Sequence, residues 1–191
     1  MDAPLDCDLC PRMCTSRRAV VNGSGPLPTD IMVVAQNPGE KEEKNGYPLH
    51  ETGWTGRKLR TELLPMAGIN PAAVRYENVA RCRPPKMAKG GDAAPTAAEI
   101  AACRPFLEAS IAECQPRVII TLGAPAFKWF FPKLKFGEWH GRPLEWEGTT
   151  VMPMYHPAAC APGRNPRLVA PMLADWERLG ELLNGTGVSP D

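Results

Sequence analysis

The chain has 191 residues, of which 43% are hydrophobic and 23% are charged, and its formal net charge is +1 at neutral pH. These values are typical of a globular protein, and no apolar run reaches the length that crosses a bilayer, so we expect no membrane insertion. The near-neutral charge does not by itself predict nucleic-acid binding, and the seven cysteines, with no secretory signal before them, predict a cytoplasmic protein whose thiols bind metal more than they form disulfides.

Strands and helices are predicted to alternate along the chain. The strands are short apolar runs bounded by turn residues, and the helices carry apolar residues at helical spacing. One helix follows a capping box formed by Thr96 and Glu99. The predicted strands cover residues 30–36, 74–82, 117–123 and 149–157. The predicted helices cover residues 55–67, 97–114, 124–131 and 165–183.

This alternation predicts a three-layer α/β/α fold with a central, mainly parallel four-stranded sheet. No repeat or linker divides the sequence, so we expect a single domain over residues 1–191. The composition of residues 86–95 predicts a flexible surface insert. In open sheets of this kind, ligands bind beyond the carboxyl ends of the strands. Asn37 and His156 follow the first and last predicted strands, so we expect both at that edge.

Four sequence segments resemble, in order, the motifs of the uracil-DNA glycosylase superfamily, and most closely its iron-sulfur branch, family 4. The segments are AQNPGEKEEKNGYP, ENVARCRPP, RVIITLGAPA and YHPAACAPGRNPRL. The resemblance implies a glycosylase-like α/β/α fold and a monofunctional DNA glycosylase. Such an enzyme flips uracil, or a related damaged or modified pyrimidine, out of DNA and hydrolyses its N-glycosidic bond during base excision repair. We expect it to act as a monomer.

Cys7 and Cys10 are separated by two residues, a gap that lets a short loop present two thiolates to one metal centre. The resemblance implies that Cys82 and Cys103 complete the ligand set of a 4Fe-4S cluster, so that the N-terminal segment binds the cluster. A tetrahedral zinc ion is the physical alternative, because four thiolates suit both groups. Cys14 is a rival ligand that we rank lower.

Cleavage of an N-glycosidic bond develops positive charge on the sugar and negative charge on the departing base. The resemblance assigns the sugar side of the bond to the segment that begins with Gln36 and Asn37, which offers backbone amides and an amide side chain that can orient a water. Pro38 and Gly39 form the tight turn beside the base. His156 is assigned the hydrogen bond to the base carbonyl oxygen on which negative charge accumulates.

The first motif differs from that of family 4, which has Gly-Glu-Ala-Pro-Gly where this chain has the residues 35–39, AQNPG. An asparagine at the third position resembles the mismatch-specific and single-strand-selective branches of the superfamily. A neutral amide positions water but is a poor general base, so we expect catalysis by electrostatic stabilisation of the departing base. The preferred base is left open.

The resemblance also implies which residues recognise the base. Asn78, on the second predicted strand, corresponds to the amide that pairs with the edge of a flipped uracil. An aromatic ring stacks on the base in relatives, and here Tyr47, Trp54 and His50 are candidates.

The last motif resembles a loop that enters the minor groove of DNA. Ala158 and Ala159 have the small side chains that suit this loop, and Arg164 is expected to contact phosphate. One branch of the superfamily captures DNA covalently through a histidine, but residues 82–103 contain none, so covalent capture is not expected. Two alternatives remain: a non-catalytic iron-sulfur DNA-binding factor, and a glycosylase specific for a bulkier modified base.

Overall fold

The computed structural model describes residues 1–186 and has five strands in one sheet. The strands are short and, apart from the fourth, almost entirely buried. No helix of residues 1–186 is long and apolar enough to cross a membrane. Residues 187–191, which the sequence assigns to the same domain, lie outside the described residues. The strands are β1 (Ile31–Ala35), β2 (Val74–Asn78), β3 (Val118–Leu122), β4 (Leu144–Trp146) and β5 (Thr149–Met154).

Eight α-helices connect or flank these strands within the described residues. A π-helical turn over Leu59–Leu63 joins α3 to α4 in one continuous helical segment. Short 3-10 turns cover Pro71–Ala73, Pro157–Cys160 and Pro166–Leu168. The helices are α1 (Pro11–Ser16), α2 (Glu40–Asn45), α3 (Trp54–Lys58), α4 (Leu64–Met66), α5 (Ala97–Cys114), α6 (Gly123–Phe130), α7 (Phe136–Trp139) and α8 (Val169–Thr186).

The strand order is β2-β1-β3-β5-β4, and every neighbouring pair is parallel except β4 and β5. The predicted α/β fold with a mainly parallel sheet is confirmed, but the predicted number of four strands is too low. The additional strand, β4, has only three residues and forms a hairpin with β5. Its turn is Glu147-Gly148, where both residues have positive φ, which matches the twist of a two-residue hairpin.

Each face of the sheet is covered by a separate apolar cluster. Side chains alternate along β1, so that Val33 packs towards α4 and α8 while Val34 packs towards α5 and α6. This arrangement gives the three predicted layers. The predicted capping box is also present at the start of α5, where Thr96 Oγ1 accepts from the Glu99 amide over 3.2 Å and the Glu99 carboxylate accepts from the Thr96 amide over 2.7 Å.

A buried charge network joins β2 to α5. Glu77 is fully buried, and its Oε1 accepts from Arg75 Nη2 over 2.8 Å and from the Ser110 hydroxyl. Its Oε2 accepts from Arg81 Nη2 over 3.2 Å. Arg81 is only 1% exposed and also donates to the carbonyl of Phe106 and to Asn22 Oδ1. The carboxylate of Glu77 therefore compensates two buried guanidinium groups.

We expect Glu77→Ala to lower the free energy of unfolding by about 3–5 kcal/mol, because it leaves Arg75 and Arg81 buried without their shared anion. Denaturant unfolding of the purified protein measures this. The matched control is Glu62→Ala, which removes an exposed carboxylate paired with Lys58 and should cost less than about 1 kcal/mol. Equal effects of the two substitutions would contradict the role given to Glu77.

Candidate active site

A cavity of about 520 Å³ lies at the carboxyl edge of the sheet. Gln36 and Asn37, which follow β1, form one part of its wall, and Gly123 at the end of β3 forms another. His156, two residues after β5, lies on the same cavity. The sequence-predicted pair of an amide and an imidazole therefore faces one space at the edge where open parallel sheets bind ligands.

His156 is held as a neutral imidazole with a defined tautomer. Its Nδ1 accepts from the Ala158 amide over 3.2 Å, so the ring proton resides on Nε2. Part of the residue reaches the cavity, but the surrounding protein desolvates the ring and lowers the pKa of His156 to about 4. Gly123, at φ +83°, packs close to His156, and a Cβ there would lie 3.2 Å from His156 Cβ. His156 thus presents a neutral N–H donor.

Asn37 has its amide oriented by its own loop. Its Nδ2 donates to the Pro38 carbonyl over 3.0 Å, which leaves Oδ1 as an acceptor beside the cavity. Pro38 itself is buried and does not line the cavity. The neighbouring Gln36 contributes to the wall, and its carbonyl accepts from the Ala80 amide over 3.0 Å. An acceptor in this position can orient a water molecule.

Asn78 ends β2 next to Ala35, the last residue of β1. Its side chain is 1% exposed, and neither Oδ1 nor Nδ2 has a hydrogen-bond partner among the described residues. A buried amide without partners is costly, and such groups are rare in folded proteins. Asn78 is not among the residues that line the cavity, and a ligand that reached it with one donor and one acceptor side by side would satisfy both atoms.

Glu42 is a site residue that the sequence reasoning did not single out. Its carboxylate lines the cavity and accepts from the backbone amides of Gly39 and Leu49, so it ties the first motif to the following loop. Desolvation raises the pKa of Glu42, although the two backbone hydrogen bonds oppose this shift. Glu42 occupies the N3 position of α2 and accepts from the Gly39 N–H, but Gly39 has no side chain to complete a capping box, so the sequence carries only half of that signal.

The loop after α2 forms the wall opposite the strand ends. Leu49, His50 and Trp54 line the cavity, whereas Tyr47 does not. Tyr47 packs on the ring of His50 with centroids 4.2 Å apart and donates to the Glu51 carboxylate over 2.9 Å. Gly56 permits close packing of this wall, because a Cβ there would lie 2.3 Å from the carbonyl oxygen of Leu49.

The surface insert also reaches the cavity, which its composition did not predict. Lys86 and Asp92 pair across a short hairpin, and Asp92 accepts from Arg83 Nε over 2.9 Å. Asp92, together with Ala93, lines the cavity mouth. Lys41, an exposed residue of α2, lies there as well. The insert therefore forms part of the site, and the ion pair between Asp92 and Arg83 fixes it to the residues that follow β2.

The three residues predicted to contact DNA lie beyond His156 on the last motif. Ala158 is exposed and Ala159 is half-buried, and both belong to the 3-10 turn Pro157–Cys160. Arg164 is exposed in the following loop. None of the three lines the cavity, so they are separate from the groups that face its interior.

A second, smaller cavity lies between the N-terminal segment, the residues after β2 and α5. No group of three or more His, Cys, Asp or Glu side chains in residues 1–186 converges closely enough to hold a single metal ion. Burial, reinforced by the neighbouring Cys103 and Cys82, raises the pKa of Cys10 to about 11. Cys14 does not line the cavity, and its thiol donates to the Cys7 carbonyl over 3.4 Å. The cysteines that line the cavity are the four predicted ligands, Cys7, Cys10, Cys82 and Cys103.

Comparison with known proteins gives one family and several similar proteins. The family model described as the Uracil DNA glycosylase superfamily matches residues 23–179. The chain is 37% identical to a Type-4 uracil-DNA glycosylase of Thermotoga maritima over 184 residues, which cover 95% of this chain and 91% of that protein. It is 31% identical to a Type-4 uracil-DNA glycosylase of Sulfurisphaera tokodaii over 187 residues, covering 93% and 80% of the two chains.

The environment of His156 predicts an unusual titration. In protein labelled for nuclear magnetic resonance, we expect the His156 ring to titrate near pH 4 instead of near the ordinary value of 6.5, because burial disfavours the charged ring. Its contribution to folding stability is then complete above about pH 6.5 and is lost as the pH falls through about 4. His156→Gln identifies the resonance, and a midpoint near 6.5 would show that the ring is solvated.

Proposed function

The chain belongs to the uracil-DNA glycosylase superfamily, and we propose that it excises uracil from DNA by hydrolysing the N-glycosidic bond and leaving an abasic site. The observation that carries this proposal is the pairing of a neutral imidazole, His156, with an oriented amide, Asn37, on one cavity at the sheet edge. The names of the similar proteins, Type-4 uracil-DNA glycosylases, support the same activity.

His156 stabilises the departing base. Its Nε2–H donates to the carbonyl oxygen of uracil, where negative charge accumulates as the bond to the sugar breaks. A neutral donor suits this task because it strengthens its hydrogen bond as the charge develops and does not transfer its proton to the base. The Ala158 amide on Nδ1 keeps the proton on Nε2 throughout.

Asn37 and Gln36 act on the sugar side of the bond. Asn37 Oδ1 accepts from a water molecule and directs its oxygen at the anomeric carbon, which becomes electrophilic as the base leaves. Because the amide is not a base, the proton that the attacking water loses passes to the released uracil anion or to solvent after the bond to the base has broken. Gln36 and Gly39 line the cavity beside Asn37, and the buried Pro38 holds the turn between them.

Asn78 recognises the extruded base. Its unpartnered Oδ1 and Nδ2 match the adjacent N–H donor and carbonyl acceptor on the edge of uracil, and cytosine presents the opposite pattern. Trp54 and His50 supply the aromatic wall on which the base stacks, and Tyr47 supports His50 from the side away from the cavity.

DNA approaches through the cavity mouth. Ala158 and Ala159 enter the minor groove, where small side chains avoid a clash, and Arg164 contacts a phosphate. The protein acts as a monomer, because one chain supplies every group named above. A cytoplasmic location fits its seven unpaired cysteines.

The four clustered cysteines fit an iron-sulfur group. All four line one apolar cavity, and a set of four thiolates is the ligand set that a 4Fe-4S cluster would take. Cys7 and Cys10 would hold it from the N-terminal segment, Cys82 from the residues after β2, and Cys103 from α5. When bound, the group supplies a cross-link between these three segments.

A second candidate substrate is a bulkier modified pyrimidine. It is favoured by Asn37, whose position resembles the branches with a wider substrate range, and by the cavity volume of about 520 Å³. Labelled duplexes that carry uracil opposite guanine, uracil opposite adenine or 5-hydroxymethyluracil, and a uracil-containing single strand, distinguish these substrates when abasic sites are scored after alkali. DNA binding without cleavage of any of them would instead support a non-catalytic factor.

We expect His156→Ala to lower the rate constant for uracil excision by roughly 100-fold or more while DNA affinity changes little, because the residue acts on the transition state. Single-turnover kinetics and a separate binding titration measure the two quantities. The control is His140→Gln, which changes a histidine outside the cavity and should retain most of the rate. Equal losses of rate and affinity in His156→Ala would remove it from catalysis.

Cys82→Ala tests the cluster assignment. We expect lower iron and sulfide content, loss of the brown colour and a lower thermal midpoint, because the segment after β2 loses its link to the N-terminal segment. Cys160→Ala is the matched control, since Cys160 lies outside the thiol-lined cavity. Zinc instead of iron in the unaltered protein, or an equally stable and fully loaded Cys82→Ala variant, would contradict the assignment.

A further inference from the structure

Arg17, directly after α1, lies on the cavity that the four proposed cluster ligands line. Its Nη1 donates to Cys82 Sγ over 3.2 Å, and its Nη2 donates to the carbonyl oxygen of Cys7. These two cysteines belong to segments that are far apart in the sequence. One guanidinium group therefore joins the N-terminal part of the ligand set to the part that follows β2.

Arg17 has no carboxylate partner among the described residues, whereas the nearby arginines do. Arg12 pairs with the Glu99 carboxylate, its Nε lying 2.8 Å from Oε1, and Arg81 pairs with Glu77. Over residues 1–186, no carboxylate forms an ion pair with Arg17, whose partners are the Cys82 sulfur and the Cys7 carbonyl. Its positive charge is thus directed at the ligand set.

We propose that Arg17 is a positioning residue of the iron-sulfur site, which holds Cys82 and Cys7 in place, raises the reduction potential of the cluster and slows its loss. The inference rests on the cluster assignment above and concerns a residue without contact to the base cavity. A cluster held by four thiolates is an anion and becomes more negative on reduction, so a cationic donor to a ligand sulfur stabilises the reduced state. Reduction transfers one electron from the electrode to the cluster, and the guanidinium keeps its proton.

The hydrogen-bond donor to the Cys103 sulfur is a backbone amide, whereas the donor to Cys82 is the charged side chain of Arg17. The backbone amide of Arg81 donates to Cys103 Sγ over 3.3 Å, and this contact persists when side chains are changed. The substitution Arg17→Gln therefore removes the charge from one ligand while a second sulfur keeps its neutral donor. Arg17→Lys retains the charge but cannot reach both partners with a planar fork.

The test is a redox titration of the anaerobically purified holoprotein, monitored by the visible absorbance and the electron paramagnetic resonance signal of the cluster. We expect a more negative midpoint potential for Arg17→Gln, a smaller negative shift for Arg17→Lys, and about tenfold faster bleaching of Arg17→Gln by an iron chelator. The control is Arg18→Gln, the same charge change on the next residue, whose side chain is exposed. It should match the unaltered protein in both measurements.

Three results would overturn the role proposed for Arg17. A midpoint and a bleaching rate of Arg17→Gln equal to those of Arg18→Gln would overturn the proposal, and if Arg17→Gln does not fold, Arg17→Lys with an unaltered midpoint and bleaching rate would do the same. Iron and sulfide analysis comes first, and an unaltered protein without a cluster also overturns it. Uracil excision is assayed separately on the same samples, so failure of this inference is distinct from failure of the proposed function.

Discussion

Two backbone hydrogen bonds beyond the ends of β1 and β2 connect the parts of this molecule that carry chemistry. The Val79 amide donates to the Ala35 carbonyl over 2.9 Å, and the Ala80 amide donates to the Gln36 carbonyl over 3.0 Å. They extend the parallel pairing past the regular strands into the first motif. The position of Asn37 relative to Asn78 is thereby set by the main chain, which is stiffer than contacts between side chains.

The same extension connects the segment that carries Cys82, a proposed cluster ligand, to the residues beside the base cavity. Between Asn78 and Cys82 the chain bends over residues 79–81, and Arg81 is buried against Glu77. The apolar cluster around the cysteines is small, and the N-terminal segment packs mainly on it. The proposed cluster would fix the far end of the extension when bound, since so small a core supplies little stability of its own.

The sequence predicted the elements whose signals are local and strong. The buried strands β1 and β3 and the capped helix α5 were predicted from short apolar runs and from Thr96 and Glu99. By contrast, β4 has only three residues and exists because its hairpin places it beside β5. Glu42 and the insert with Asp92 reach the cavity through tertiary contacts, which neither composition nor periodicity reports. The placement of Tyr47 behind His50 is likewise a packing outcome.

Ion pairs beside the cavity reduce the negative charge that a polyanionic substrate would meet on this nearly neutral protein. Arg83 alone faces three carboxylates, at 2.9 Å from Asp92, 3.3 Å from Glu40 and 3.8 Å from Glu43, and Lys86 lies 3.6 Å from Glu40, so two cations offset part of this negative charge. Glu42 is instead held by backbone amides and lines the cavity. In the proposed mechanism the neutral donor at His156 stabilises the departing base, and the Glu42 carboxylate lies on the same cavity. Catalysis of this kind depends on the placement of a few groups within the cavity and requires no large basic surface, which is why the net charge of +1 gave so little indication of the substrate.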